Sequence, residues 1–336
     1  MNLKLIVIYL ITVAPFCRAD SASDDYKNGD FESAALRFQI QAEAGDSRSQ
    51  NNLGALYLRG KGVPQNYQKA YELFLQSADE NFKGAMFNLG IMNLRGYGRK
   101  KNYSEAALWF QKGAELEDPE AQFFLGVLHS KGLGIPSDIA NAKKWFSKSA
   151  NHGLAAAQFN LAIILLRDAK QGSNRVDALN WLKKADEQEY EMATFQLATE
   201  YLKNAENQNS REKASQLMLK LAKKGHVRAQ MQLGLLYLFG DAQNLNHEEG
   251  FFWLNESAMQ DFAPAQHNLG TVYAKGIGGE TNLMLAYAWL KIASNSIPQA
   301  KANSLAISEN FSENDLQSAE ILMDEIITKI ADGKEL

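Results

Sequence analysis

The chain has 336 residues, of which 46% are hydrophobic and 22% are charged, and its formal net charge is −4. The apolar content is sufficient for a folded core, and the slightly acidic balance argues against a nucleic-acid-binding protein, which would carry a basic field. The only cysteine, Cys17, excludes a disulfide framework. Stability must therefore come from packing.

The first 19 residues have the pattern of a cleaved secretory signal. Lys4 supplies a positive charge, residues 5–13 form an apolar core, and residues 17–19 form a small-x-small cleavage site. This core is too short to span a bilayer, and lipoprotein processing at Cys17 fits poorly because the bulky Phe16 precedes it. The pattern predicts export to the periplasm or the cell exterior, with a mature chain that starts at Asp20.

Residues 20–46 are expected to form an N-terminal cap. Asp30 is a suitable N-cap for a helix over residues 30–44, because its side chain can accept a bond from a backbone N–H of the first turn. Only a short stub precedes this helix in the mature chain. We therefore expect the helix to lack a partner.

From residue 47 onward, one pattern recurs with a step of 36 residues. Its mark is a Leu that is followed by Gly or Ala. The Leu occurs at Leu53, Leu89, Leu125, Leu161, Leu197, Leu233 and Leu269. A fixed period of this length predicts a solenoid of stacked helical units.

Each repeat is expected to contain two helices. A Gly-x-Gly motif, as at residues 60–62 and 132–134, ends the first helix, and a short polar residue then caps the second. The predicted caps are Asn66, Asn102, Asp138, Asn174, Ser210, Asn246 and Asn282. Residues 168–173 and 204–209 lack the motif, so we expect altered turns there between helices that are retained.

All five tryptophans share one register in the second helix, three residues after a small residue. They are Trp109, Trp145, Trp181, Trp253 and Trp289. A row of Trp could stack on carbohydrate. The neighbouring small residue instead favours burial at a close crossing of two helices.

The repeat resembles the Sel-one-like repeat family, which is related to tetratricopeptide repeats. The third repeat shows the whole motif, at Ala121, Leu125, Gly126, Gly132, Gly134, Ala142, Trp145, Phe146 and Ala150. The resemblance covers residues 25–294. It implies an all-α fold, a right-handed α-α superhelix of about seven 36-residue helix-turn-helix repeats over residues 47–298, with capping helices over residues 299–336.

The sequence contains no convincing catalytic or metal-binding set. Its histidines form no i, i+4 pair and have no Cys partner. Ser210 and Lys213 match the Ser-x-x-Lys motif of penicillin-recognising enzymes, but the companion motifs are missing and Ser210 lies in the cap register. We predict a non-enzymatic protein without cofactor or metal.

Two surface registers are candidates for binding. The first, which we call the amide ladder, is the residue before the repeated Leu. It comprises Asn52, Asn88, Asn160, Gln196, Gln232 and Asn268. In the related tetratricopeptide fold this position faces the concave groove, where amides can pair with the N–H and C=O groups of an extended peptide. Alternatively, the amides bond neighbouring helices.

The second register, the basic rim, lies near the C-terminal end of each first helix. It comprises Arg59, Arg95, Lys131, Arg167, Lys203 and Lys275. Cations at this end stabilise a helix through its dipole, which explains the register without a ligand. The functional alternative is a rim that attracts a carboxylate or an acidic segment.

Together these features predict an exported scaffold or adaptor that binds another protein or a peptide along its concave face, without nucleic acid and without spanning the membrane. The resemblance implies a bacterial cell-envelope or secreted protein, including a role in contact with host cells. Two alternatives remain open at this point. One is an envelope hydrolase that acts on β-lactams or peptidoglycan, and the other is an adaptor of the eukaryotic ER lumen.

Overall fold

The computed structural model describes residues 19–168, 172–203, 208–240 and 245–333, and every regular element in these ranges is an α-helix. The apolar part of the expected signal lies outside the described residues. The chain divides into two compact units, Met1–Trp181 and Leu182–Leu336. The predicted all-α fold of paired helices is confirmed in each unit.

The first unit begins with a pair of short helices and continues with the first three repeats and half of the fourth. Its helices are α1 (Ala19–Lys27), α2 (Phe31–Glu43), α3 (Ser47–Arg59), α4 (Tyr67–Asp79), α5 (Lys83–Arg95), α6 (Tyr103–Glu115), α7 (Pro119–Lys131), α8 (Ile139–Asn151) and α9 (Ala155–Arg167), and α10 (Gly172–Glu187) contains the division. Consecutive helices pack on one another. The most extensive contacts join the two helices of one repeat, such as α3 and α4.

The second unit follows the same plan to the C-terminal helices. Its helices are α11 (Glu191–Leu202), α12 (Gln208–Ala222), α13 (Val227–Phe239), α14 (His247–Met259), α15 (Ala263–Lys275), α16 (Leu283–Ala293), α17 (Pro298–Ser308) and α18 (Glu313–Asp332). The last helix begins with a capping box between Ser312 and Asp315. Ile326 of this helix is fully buried against the core of the unit.

Small residues mark the close crossings of helix pairs. A Cβ atom at Gly126 of α7 would lie 2.8 Å from Cδ1 of Phe146 in α8, so a larger residue could not be accommodated without movement. Four of the tryptophans, at 109, 145, 253 and 289, are no more than 9% exposed. Burial, not carbohydrate stacking, is therefore their role in the fold.

Most of the predicted caps are confirmed. The side chains of Asp30, Asn66, Asn102, Asp138, Asn246 and Asn282 each accept a bond from the backbone N–H three residues later. The prediction is wrong for Asn174 and Ser210, because α10 and α12 already begin at Gly172 and Gln208. Without the Gly-x-Gly turn, these two helices extend further toward the N-terminus. The helices themselves are retained, as expected.

The expectation that the helix over residues 30–44 lacks a partner is also wrong. The preceding segment forms α1, which packs on α2. Tyr26 of α1 meets Phe31 of α2 edge-on, with ring centroids 5.3 Å apart. This aromatic contact was not apparent from the periodic pattern, because residues 19–27 precede the first repeat.

Each Gly-x-Gly turn uses its two glycines differently. The first, such as Gly132 with φ +67°, ends the helix in the left-handed conformation. The second contacts the start of the second helix in the preceding helix pair. These pairs are Gly62 with Phe31, Gly98 with Tyr67, Gly134 with Tyr103 and Gly278 with His247. In the first unit, consecutive turns therefore lie side by side along one edge.

A row of buried glutamines that was not predicted from the sequence connects consecutive helices. Their Nε2 atoms donate to a backbone carbonyl eight residues earlier, near the end of the preceding helix, over 3.2 to 3.4 Å. The residues are Gln50, Gln122, Gln158, Gln230 and Gln266. Each of these carbonyls also accepts a bond from the backbone N–H three residues later, so the glutamine adds a second bond that joins the helix end to the next helix.

The cap of α16 allows a local test of solenoid stability. Asn282 Oδ1 accepts a 3.0 Å bond from the backbone N–H of Leu285. We expect Asn282→Ala to cost about 1 kcal/mol, because the donor loses its partner. Neighbouring repeats couple through their interfaces, so hydrogen exchange should accelerate first in the C-terminal helices of the second unit. An even acceleration from residue 30 to residue 330 would contradict this.

Candidate peptide-binding groove

A groove of about 460 Å³ lies at the N-terminal end of the first unit, where α1, α2, α3 and α5 meet. We call it the N-terminal groove. Its lining residues are Ser23, Tyr26, Lys27, Phe38, Asn51, Asn52, Ala55, Arg59 and Asn88. It combines an apolar base with amides and two cations, and such a combination is typical of a binding site.

The base of the groove is held by packing in the hydrophobic core. Phe38 of α2 is only 3% exposed, and Ala55 of α3 packs against the same core. Tyr26 of α1 packs against the same core. Its hydroxyl accepts a 3.3 Å hydrogen bond from Nη1 of Arg59 at the end of α3. Helix α1 is thus fixed across α3 by an aromatic ring and a hydrogen bond.

Three amides form a chain along one side of the groove. Asn88 Nδ2 in α5 donates to Asn51 Oδ1 in α3 over 2.8 Å, and Asn51 Nδ2 lies 3.4 Å from Asn52 Oδ1. A side-chain amide has two donor hydrogens and an oxygen with two lone pairs. The chain therefore orients the three groups while leaving bonding capacity for a ligand.

The groove is positively charged, because Lys27 and Arg59 are its only charged lining residues. The nearest acidic partner of Lys27 is Asp24, with Nζ and Oδ1 3.9 Å apart. Both side chains are more than 60% exposed, so water and salt weaken this pair. A carboxylate in the groove would meet two cations and several amide donors.

The structure brings together Asn52, Asn88 and Arg59 of the predicted binding residues and places the others elsewhere. Asn160 donates to the backbone carbonyl of Ala156 in its own helix, and Gln196 donates to Glu200. Asn268 Nδ2 lies 3.5 Å from the sulfur of Met231. Gln232 is partly buried in α13.

The basic rim lies at the helix ends, as its register predicts. Arg95, Lys131, Arg167, Lys203 and Lys275 are exposed there. Lys203 forms a 2.6 Å salt bridge with Glu200, which is 2% exposed. The remaining four lie in the last turns of α5, α7, α9 and α15, where they can stabilise the helix dipole.

Six of the nine groove residues were not predicted from the sequence, and Tyr26, Lys27 and Asn51 are among them. A signal for Asn51 was present. The equivalent positions in later repeats carry Phe87, Phe123, Phe159, Phe195, Met231 and His267. An amide at a position that is otherwise mostly aromatic indicates a local departure from core packing. Tyr26 and Lys27 lie before the repeats, so no register pointed to them.

Other kinds of site receive no support from the described ranges. Within them, no three His, Cys, Asp or Glu side chains are grouped so that they could hold a metal ion. Over the same residues, no helix is both long enough and apolar enough to cross a membrane. Ser210 lies in the first turn of α12.

The Sel1 repeat family model matches residues 47–82, 84–118, 119–154, 155–189, 227–262 and 263–296, which is more than half of the chain. Residues 190–226 are not matched, yet α11 and α12 within them pack as the pairs of the other repeats do. No match is found among curated proteins.

Two solved structures are similar over most of their lengths. A protective antigen of uropathogenic Escherichia coli with an SLR fold is 27% identical, with 90% of this chain and 73% of that chain covered and a TM-score of 0.57. A Sel1 repeat protein from Oxalobacter formigenes is 26% identical, with 84% and 88% covered and a TM-score of 0.60. The helix pairs, their register and these matches agree: the chain belongs to the Sel1 repeat family.

Proposed function

We propose that this protein is an exported, non-enzymatic scaffold that binds a peptide or protein segment, and that the N-terminal groove is its principal contact. Sel1 repeats generally form scaffolds for protein interaction, which supports the general part of the proposal. The observation that carries the specific part is the meeting of Asn52, Asn88 and Arg59 over an apolar base. The comparisons give no support to the hydrolase alternative.

The chemistry of the groove favours an extended segment with a carboxylate. The amides of Asn51, Asn52 and Asn88 can pair with peptide N–H and C=O groups, which are present in every segment. Phe38 and Ala55 offer apolar surface to a neighbouring side chain. Arg59 can bind a carboxylate through a charge-assisted bond while it keeps its contact with Tyr26.

A random peptide library displayed on phage tests this proposal directly. We expect the purified protein to enrich segments in which Asp, Glu or the C-terminal carboxylate lies within a few residues of an apolar side chain. Enrichment should weaken at high salt, because charge contributes to the contact. Enrichment of basic segments, or of none, would contradict the proposal.

Export is the second part of the proposal, and the charged, apolar and small-residue progression over residues 4–19 supports it. The E. coli relative is a protective antigen, which is compatible with exposure outside the cell. We expect N-terminal sequencing of the fractionated protein to begin at Asp20. Recovery of an intact Met1 in the cytosolic fraction would refute export.

A further inference from the structure

The turns of the first two repeats form a basic edge on the first unit. Residues 59–69 and 95–105 contain seven Lys or Arg residues and one carboxylate, Glu105. Arg59 belongs to the N-terminal groove. The other six define the basic edge: Lys61, Lys69, Arg95, Arg99, Lys100 and Lys101. All six are exposed.

The glycine contacts place these cations along the same edge. Gly62 lies against the backbone of Phe31, and Gly98 lies against the side chain of Tyr67. Each turn is therefore packed on the beginning of a helix in the preceding pair. The second turn thus lies beside the segment that follows the first turn, so the cations of the two turns lie near one another.

Aromatic rings, not carboxylates, hold three of these cations. Lys61 Nζ lies 4.6 Å from the ring centroid of Phe31, and Lys69 Nζ lies 4.5 Å from that of Tyr57. The guanidinium of Arg99 lies 3.4 Å from the ring centroid of Tyr71. A ring orients a cation without neutralising it. Among the described residues, no carboxylate forms a salt bridge with any of the six.

Two exposed tyrosines lie among the cations. Tyr97 and Tyr103 are each 37% exposed, and the ring of Tyr97 stacks on Tyr67 with centroids 5.7 Å apart. Tyrosine is enriched at membrane–water interfaces, where its ring lies at the level of the headgroups. Exposed Tyr beside Lys and Arg is one composition found at surfaces that meet lipid headgroups.

We propose that the basic edge docks the protein on an anionic membrane surface, where it binds lipid phosphates. An extended acidic peptide fits the N-terminal groove better, because the groove offers amides that can bond a peptide backbone as well as cations. A layer of headgroups can instead be met by many cations at once. Docking would be oriented, since the corresponding segments 239–249 and 275–285 of the second unit contain one Lys and four carboxylates.

Carboxylates near the edge do not cancel its charge. Asp30 and Glu32 lie at the start of α2, and Glu105 lies in the first turn of α6. The Asp30 carboxylate accepts a 3.1 Å bond from the backbone N–H of Ser33. The six cations outnumber these three acidic groups.

Vesicle co-sedimentation of the full protein tests the proposal. We expect binding to vesicles of equal parts phosphatidylglycerol and phosphatidylcholine at low salt, and loss of binding with phosphatidylcholine alone. The variant with Lys61, Arg99, Lys100 and Lys101 replaced by Gln should partition ~600-fold less, because each of the four cations near such a surface contributes roughly fivefold. None of these four residues lines the N-terminal groove.

The matched control replaces four exposed lysines of the second unit, Lys183, Lys223, Lys291 and Lys301, by Gln. It changes the net charge equally and should keep vesicle binding. Equal losses in both variants would overturn the proposal, as would equal binding to neutral vesicles. Binding of a ten-residue poly-Glu peptide at the edge without vesicle binding would show a protein-docking surface and also overturn it. Circular dichroism and thermal unfolding verify that both variants are folded.

Discussion

Replacing Gly134 by Ala is expected to destabilise the first unit by about 3 kcal/mol or more. Gly134 has φ +71°, where an L-residue is strained. Its added Cβ would also collide with the backbone of Tyr103 and Ser104 in the preceding repeat. Backbone atoms cannot rotate away as a side chain can, so the turn and helix α6 must separate. The bond from Ser104 Oγ to the Gly134 carbonyl, 2.8 Å long, should be disrupted as well.

Gly153→Ala is the matched control. Gly153 also has a positive φ, +93°, but a Cβ there has no atom of a neighbour within 4 Å. We expect it to cost about 1 kcal/mol, from backbone strain alone. Thermal unfolding should separate the two variants, and hydrogen exchange in Gly134→Ala should accelerate first around residues 103 and 134. Similar unfolding temperatures for both would show that the turn contact contributes little.

The triple variant of Asn52, Asn88 and Arg59 to Ala is expected to weaken binding of a library-selected peptide by ~100-fold or more. Loss of each amide bond costs roughly 1 kcal/mol, a charge-assisted bond costs more, and 1.4 kcal/mol corresponds to a factor of ten. Titration calorimetry or fluorescence anisotropy with the selected peptide measures this. Arg59→Ala alone should mainly slow association and reduce its salt dependence.

A matched triple variant distinguishes binding from structure. Asn160, Asn268 and Lys275 occupy the same registers but do not line the N-terminal groove. Their replacement by Ala should leave the affinity for the same peptide unchanged. If both triple variants bind equally weakly, the groove is not the contact. If the groove variant unfolds early yet binds normally when folded, the amides of Asn52 and Asn88 are structural.

The fold was predictable because its signals are periodic and local. Helix ends depend on a few neighbouring residues, so caps such as Asn102 and stops such as Gly132 can be read without knowledge of distant contacts. The predictions failed where the local signal was absent. Asn174 and Ser210 kept the register, but without a preceding Gly-x-Gly turn nothing stopped the helix from starting earlier.

The groove was only partly predictable, because it depends on contacts between distant segments. Asn88 donates a hydrogen bond to Asn51, which lies 37 residues earlier in the chain, and Arg59 donates one to Tyr26, which lies 33 residues earlier. A register shows which residues share a position in the repeat. It does not show the orientation of each side chain or its hydrogen-bond partner. Asn160 has the register of Asn88, yet it bonds its own helix. The bond from Gln122 to the Ala114 carbonyl likewise depends on the packing of two helices and not on either helix alone.

The contact between a turn and the preceding helix also determines which positions of such a protein can diverge in sequence during evolution. At Gly62 and Gly134 the partner atoms belong to the backbone of Phe31 and Tyr103, and every amino acid has those atoms. At these two steps the side chains of Phe31 and Tyr103 can therefore be exchanged without loss of the backbone contact, whereas Gly98 and Gly278 lie against the side chains of Tyr67 and His247. A gene that duplicates or diversifies such units retains the spacing between them, so its binding surface can drift toward new ligands without a new scaffold.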